Sequence, residues 1–280
     1  MTNLGNLPPA QLRSFTRIDG DASSPESAAV AEEVPVAFVY GGKPHVVMMC
    51  TPADLEDLAV GFTLSEEIAS APEDIARVDV VRHARGIEVQ MELPPDAQAR
   101  VASRTRALAG RTGCGLCGID AIDNAIRPPR VVASAVTYDM PAILRAGEAL
   151  AAQQPVNNET RAVHAAAFAN ANGELVVVRE DVGRHNALDK VIGALARAGT
   201  TASDGFFVVT SRASYELVQK VAVAGSPLLA AVSRPTGLAI RFAEAGGLCL
   251  VGLLRGRSAN VYSHPGRVRF EAPAPPHPVV

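Results

Sequence analysis

The chain has 280 residues, 48% of them hydrophobic and 20% charged, with a formal net charge of -3; this is globular material for one large or two ordinary domains. That balance argues against bulk nucleic-acid binding, while leaving local basic pockets open. No apolar run approaches the roughly 18 residues of a membrane span, and residues 1–30 lack a basic n-region followed by an apolar h-region, so no signal peptide is expected. Four cysteines without a disulfide framework fit the cytoplasm.

Residues 1–30 are polar and punctuated and are expected to form a flexible N-terminus. Val34 to Tyr40 and His45 to Cys50 predict a hairpin turning through Gly41-Gly42-Lys43-Pro44. Thr51-Pro52 has the form of a helix start, with Leu55, Leu58 and Phe62 at helical spacing to about Ile68. The adjacent Glu66 and Glu67 are expected as solvated helix-end charges, because neighbouring positions point to different parts of a helix surface. Val78 to Arg82 and Ile87 to Leu93 predict a second hairpin, and Ala97 to Ala109 a helix. Residues 31–110 therefore form a small α+β domain, and 111–127 a linking loop.

The larger domain is expected over residues 128–270. It opens with a predicted strand at Val131 to Val136 and a helix at Ala142 to Gln153. Strands at Ala162 to Ala169 and Glu174 to Glu180 follow. Short apolar strands then alternate with helices closed by Gly199, Gly225 and Gly246. Such alternation predicts a largely parallel sheet with helices on its faces. Residues 271–280 are proline-rich and expected as a flexible tail.

Two features carry chemistry. The first is the loop Arg111-Thr-Gly-Cys114-Gly-Leu-Cys117-Gly118. Glycines around both thiols permit exposure and movement, and cysteines at this spacing commonly have depressed pKa values. Arg100, Arg104, Arg106 and Arg111 either add positive field or form a solvated helix face. A zinc site needs four ligands, and Cys50 and Cys249 stand alone in apolar runs, as core residues do. A thioredoxin-like pair normally follows a first strand, whereas this pair is mid-chain. The glycine flanks favour a thiol that carries a group, such as a persulfide.

The second feature is the set of strand exits. Ser211-Arg212-Ala213-Ser214, Ser233-Arg234-Pro235-Thr236, Arg255-Gly256-Arg257-Ser258 and Glu180 to Asn186 each follow a strand. In an open α/β sheet, ligands bind beyond the carboxyl ends of the strands. Helix N-termini and arginines there suit phosphate. Against this stand ordinary N-caps and surface arginines; four converging exits favour an anionic pocket. His185, at a strand-to-helix junction, either faces the crevice or is bonded locally. His164 is expected as a core histidine. Neither a phosphate-binding glycine loop nor a zinc-deaminase signature is present.

The loop from Gly113 to Gly118, the block Glu180-Asp-Val-Gly-Arg-His-Asn-Ala-Leu-Asp-Lys190, and the ending Arg255 to Pro265 with Asn260-Val-Tyr262 together resemble the formate dehydrogenase accessory sulfurtransferase family of FdhD type. Ser211-Arg212 with Ser214 to Leu217, and Gly61-Phe62 with Glu66, fit the same pattern. The resemblance implies a cytoplasmic homodimer with an α/β fold. Its larger domain would be a cytidine-deaminase-like three-layer α/β/α unit, joined to the smaller N-terminal α+β domain. It implies a sulfurtransferase that takes sulfur from a cysteine desulfurase and passes it to the molybdenum bis(molybdopterin guanine dinucleotide) cofactor of formate dehydrogenase. On that pattern Cys114 carries the persulfide and Cys117 is its partner. Leu253, Leu254, Arg255, Gly256, Arg257 and Ser258 would contact the guanine nucleotide portion, which a free guanine nucleotide would mimic. Arg212, Arg234 and His185 complete the expected cofactor-binding set, with no structural metal. The alternative is a non-catalytic chaperone that only binds and delivers the cofactor.

Overall fold

The computed structural model describes residues 3–101 and 126–270. Cys114, Cys117, the arginines at 104, 106 and 111, and the tail lie outside the described residues. Helix is present over residues 95–101; the rest of the helix expected to Ala109 lies outside them too.

The N-terminus departs from the expected flexible segment. Strands β1 (Ala10–Asp19) and β2 (Ala22–Ala31) pair antiparallel along their full length. The turn needs a left-handed residue, which Gly20 supplies at φ 59°. Polarity hides these strands from pattern reading, because most of their side chains are exposed.

Strands β3 (Val34–Tyr40), β4 (Lys43–Cys50), β5 (Arg77–His83) and β6 (Gly86–Glu92) form a four-stranded sheet in the order β4-β3-β6-β5. Its inner face sets Val34, Val36, Phe38, Val89 and Met91 against Leu55, Leu58 and Phe62 of helix α1 (Leu55–Ser65). Period-two burial in β3 and helical spacing in α1 make one core. The helix begins later than Thr51-Pro52 suggests, after Asp54 in a left-handed conformation. Thr51 is instead an anchor: its N–H donates to Asp181 Oδ2 at 3.1 Å and its hydroxyl accepts from Val182 N–H at 3.1 Å.

The larger sheet runs β13-β12-β11-β10-β8-β9. It comprises β8 (His164–Asn170), β9 (Leu175–Asp181), β10 (Gly205–Val209), β11 (Leu228–Ala231), β12 (Cys249–Arg255) and β13 (Ser258–Ser263). Only β10, β11 and β12 are mutually parallel; the other three pairings are antiparallel. The sheet is therefore mixed rather than largely parallel, because β8-β9 and β12-β13 are hairpins, turning at Gly173 (φ 82°) and Gly256 (φ 53°). Helix α2 (Met140–Ala152), preceded by the short strand β7 (Tyr138–Asp139), covers one face through Ile143 and Leu150 against Phe206, Val208 and Val251. Helices α4 (Arg184–Arg197), α5 (Tyr215–Val223) and α6 (Gly237–Ala245) cover the other with Leu188, Leu217 and Phe242 against Phe207 and Leu229. Short α3 (Pro155–Thr160) lies between α2 and β8, and β14 (Val268–Arg269) pairs with β7.

The strand expected at Val131 to Val136 does not form. Its backbone pairs with turns and an arginine rather than with a neighbouring strand. Val132 N–H donates to Gly246 O at 2.8 Å, and the Arg267 guanidinium donates to the carbonyls of Val132, Ser134 and Gly247.

The two sheets are joined where α1 crosses α4. A β-carbon on Gly61 would lie 1.7 Å from Asp189 O, and one on Gly193 1.8 Å from Asp57 O. Only glycine at both positions lets the two backbones touch. Buried charges surround this crossing. Lys190, fully buried, pairs with Asp181 at 2.7 Å and donates to the carbonyls of Thr51 and Glu180. Lys220 on α5 pairs with Asp189 at 2.9 Å and Glu66 at 3.1 Å. Glu66 also takes Arg127 at 2.8 Å. Glu66 is therefore no solvated helix-end charge. The expectation weighed helix position alone, whereas two cations from later in the chain close over this carboxylate.

Candidate functional site

The carboxyl ends of β10, β11 and β12 open into one crevice. Backbone hydrogen bonds tie the exits side by side: Val232 N–H to Val209 O, Thr236 N–H to Ala213 O, and Leu253 N–H to Ser233 O. Three separate loops thereby hold Arg212, Arg234 and Arg255 along one edge, all three exposed. Thr236 caps α6, its hydroxyl accepting from Ala239 N–H at 3.2 Å.

Two adjoining depressions occupy the crevice, sharing Ala151 and Val232. The smaller, about 150 Å³, is lined by Leu144, Gly147, Leu254, Arg255 and Gly256. Leu254 is buried against Gly147, where an added β-carbon would meet its Cδ2 at 2.8 Å. Leu253 takes a left-handed φ of 57° next to a break in the β12-β13 register, and this turns the hairpin tip. Arg257 and Ser258 sit exposed at that tip. The larger depression, about 360 Å³, is lined by Gln154, Asn157, Arg161, His164 and Thr210.

His164, expected in the core, instead lines this cavity. β8 runs antiparallel to its neighbour β10, so its first residue lies at the strand-exit edge. Burial lowers the imidazole below its ordinary range, and Arg184, His185 and Arg212 lower it further. The neutral ring thus marks a concentration of positive charge. Around it, the Nε of Arg184, the Nε2 of His185 and the hydroxyl of Ser214 are buried atoms without a hydrogen-bond partner among the described residues. His185 Nε2 lies 2.9 Å from Glu216 Oε2 but off the line of a hydrogen bond. Buried donors normally find acceptors. Arg184 Nε and the Ser214 hydroxyl lie at the starts of α4 and α5, where N–H dipoles point outward and suit an anion, whereas His185 is engaged by Glu216.

His185 and Glu216 form the outer of two rungs between α4 and α5; Asp189 and Lys220, one turn on, form the inner. Much of the Glu180-to-Lys190 block serves architecture. Glu180 accepts from Val156 and Asn157 N–H at the start of α3, and Asp181 accepts from Thr51, Gly183 and Asn186. His164 is the crevice residue that sequence reasoning places in the core, whereas Arg184 is already among the strand-exit arginines.

Of the four cysteines, Cys50 and Cys249 are fully buried. Burial pushes the Cys50 thiol well above its ordinary range and that of Cys249 up to about 12. Among the described residues, no helix is long and apolar enough to cross a membrane.

A mixed sheet covered by helices on both faces, a smaller sheet locked to it, and a crevice with exposed arginines at the strand ends define an α/β protein. The sequence model of the FdhD/NarQ family matches residues 31–269, and the chain belongs to this family. It is 51% identical over 261 residues to "Sulfur carrier protein FdhD" from Xanthomonas campestris pv. campestris (strain B100), covering 93% of both chains. It is 48% identical over 245 residues to the protein of that name from Bordetella petrii, covering 88% of both. A crystal structure described as a formate dehydrogenase accessory protein, from Desulfotalea psychrophila, superposes with a TM-score of 0.73. It covers 94% of this chain and 100% of that one, at 23% identity, and shows the shared fold.

Proposed function

We propose that this protein is a sulfurtransferase: Cys114 accepts sulfur as a persulfide and delivers it to the molybdenum bis(molybdopterin guanine dinucleotide) cofactor serving formate dehydrogenase. The observation that supports it most is the crevice, where unsatisfied buried donors and exit arginines await a large polyanion. The cysteine inventory supports it too, because Cys50 and Cys249 are buried, protonated thiols unsuited to nucleophilic attack. That leaves Cys114 and Cys117.

In the first step the Cys114 thiolate attacks the outer sulfur of a cysteine desulfurase persulfide; the donor's S–S bond breaks and its thiolate leaves. Attack by Cys117 on the Cys114 sulfur then releases hydrosulfide and leaves a disulfide, which an external thiol reduces. The two electrons gained by the outgoing sulfur come from the cysteine pair. In this reading Arg212, Arg234, Arg255 and Arg184 bind the phosphates of the cofactor. Residues Leu253 to Ser258 hold the guanine nucleotide portion. The reading includes the cytidine-deaminase-like layering, a cytoplasmic location and a homodimer.

Cys114→Ala separates this reading from that of a passive cofactor chaperone. The expected result is a formate dehydrogenase left inactive while guanosine diphosphate still binds the variant. Full activity with Cys114→Ala overturns the sulfurtransferase reading.

A further inference from the structure

A further cavity lies at the other end of α4 from the crevice. It holds about 370 Å³, within the ~300–1,000 Å³ range of small-molecule sites. Leu64 near the end of α1, Ile192 and Leu195 on α4, and Val223 at the end of α5 make its apolar floor. Leu195 follows His185 by ten residues along α4, so about 15 Å of helix separates this floor from the crevice. The crevice depressions and this cavity share no lining residue.

Its lining also carries charges of both signs. Glu67, on the turn after α1, and Arg130, from much later in the chain, stand with Oε1 and Nη1 3.6 Å apart. That is too long for a hydrogen bond. Among the described residues the Arg130 guanidinium makes none, and its side chain is 60% exposed. Glu67 holds a left-handed φ of 57°. Glycine adopts that region without strain and would serve the turn better. A carboxylate kept there points to a role for the side chain. Part of the role is structural, since Oε2 takes Arg127 at 3.2 Å, while Oε1 is the atom turned to Arg130.

We propose that this cavity binds a free α-amino acid with an apolar side chain. Arg130 takes its carboxylate, Glu67 its ammonium, and the apolar floor its side chain. The paired charges select this class. A simple anion would be repelled by the Glu67 carboxylate, and a simple cation by the Arg130 guanidinium. A zwitterion suits both, because its two charged groups sit on one carbon and lie as close together as the pair they meet. It also brings no net charge beside Glu66, which Lys220 and Arg127 already balance in a buried cluster. The exposed guanidinium is free to turn and take a carboxylate through two N–H groups. A carboxylate such as that of Glu67 accepts several hydrogen bonds at once. This site is independent of the sulfur-transfer reading above and stands or falls without it.

Titration calorimetry on the full-length protein tests this with L-leucine, L-methionine and L-phenylalanine as probes. At least one is expected to bind saturably at millimolar concentration or below. The same side chain carried on the acid without the amine, or on the amine without the acid, should bind at least about tenfold more weakly, since each form loses a hydrogen bond to a charged group. For leucine these forms are 4-methylpentanoate and isoamylamine. Arg130→Gln and Glu67→Gln should each weaken the amino acid by a similar factor. Arg130 is the more exposed of the two, so Arg130→Gln carries the test if Glu67→Gln misfolds. No binding of any of the three amino acids overturns the site. Undiminished binding in a folded Arg130→Gln or Glu67→Gln, or equal binding of either truncated probe, overturns the assignment of an amino acid to it.

Discussion

Replacing Lys220 with methionine probes the joint between the two sheets. Its ammonium sits between Asp189 and Glu66, with Ser65 as a further partner at 2.8 Å, and all three charged side chains are at most 8% exposed. Methionine fills similar space but leaves Asp189, itself 1% exposed, without its cation. Removing one partner of a buried pair costs about 3–5 kcal/mol. At about 2–4 °C per kcal/mol for a chain of this size, the melting temperature should fall roughly 6–20 °C. Arg127 still neutralises Glu66, which favours the lower half of that range. Asp189→Asn in the same chain should recover part of the loss, because no unpaired charge then remains. The pH dependence has a definite sign. Burial alone would lower the Lys220 ammonium, but Asp189 and Glu66 outweigh it and hold it above its ordinary 10.5. A raised cation stabilises fully below pH 10.5 and loses that contribution as pH rises past it. Wild type should therefore lose this stabilisation in alkali, and Lys220→Met should lack that component. Thermal unfolding followed by circular dichroism reads both. A melting temperature within about 2 °C of wild type at neutral pH would refute the reasoning.

Other expectations concern the crossing, the crevice and the thiols. Gly61→Ala forces a β-carbon against the Asp189 carbonyl and should cost at least about 2–3 kcal/mol, seen as a lower denaturation midpoint. Arg212→Ala with Arg234→Ala should weaken guanosine diphosphate binding roughly tenfold or more at low salt, since hydrogen bonds to charged groups contribute about 1.5–3 kcal/mol each; calorimetry measures it, and the deficit should shrink as salt is added. Iodoacetamide should leave Cys50 and Cys249 unmodified in the folded protein and modify them once it unfolds; mass mapping of the alkylated peptides checks this.

Much of the fold is legible wherever local pattern and burial agree. β3, α1 and the run from β10 to β12 follow from alternating or helical apolar spacing, because each element buries a single face. What escaped has a physical pattern too. The β1-β2 arm buries little, so its sequence carries no hydrophobic period to detect. The Val131 to Val136 stretch has the composition of a strand but is held by Arg267 and Gly246, partners more than a hundred residues away. Glu66, Thr51 and His164 went astray for one reason: each takes its role from a group distant in sequence. The placing of Arg212, Arg234 and Arg255 on one edge was foreseeable because successive parallel strands of an α/β sheet end on the same side. The division of Glu180 to Lys190 into architectural and crevice residues was not, since adjacent side chains there face opposite partners.

Carriage of sulfur on Cys114 is the step on which the proposed function depends. Intact-mass and peptide spectrometry after incubation with a cysteine desulfurase and cysteine tests it directly. The expected result is a gain of one sulfur atom, about 32 Da, on the peptide containing Cys114, absent in Cys114→Ala. No gain in mass, or a gain on a peptide containing Cys50 or Cys249, would contradict it.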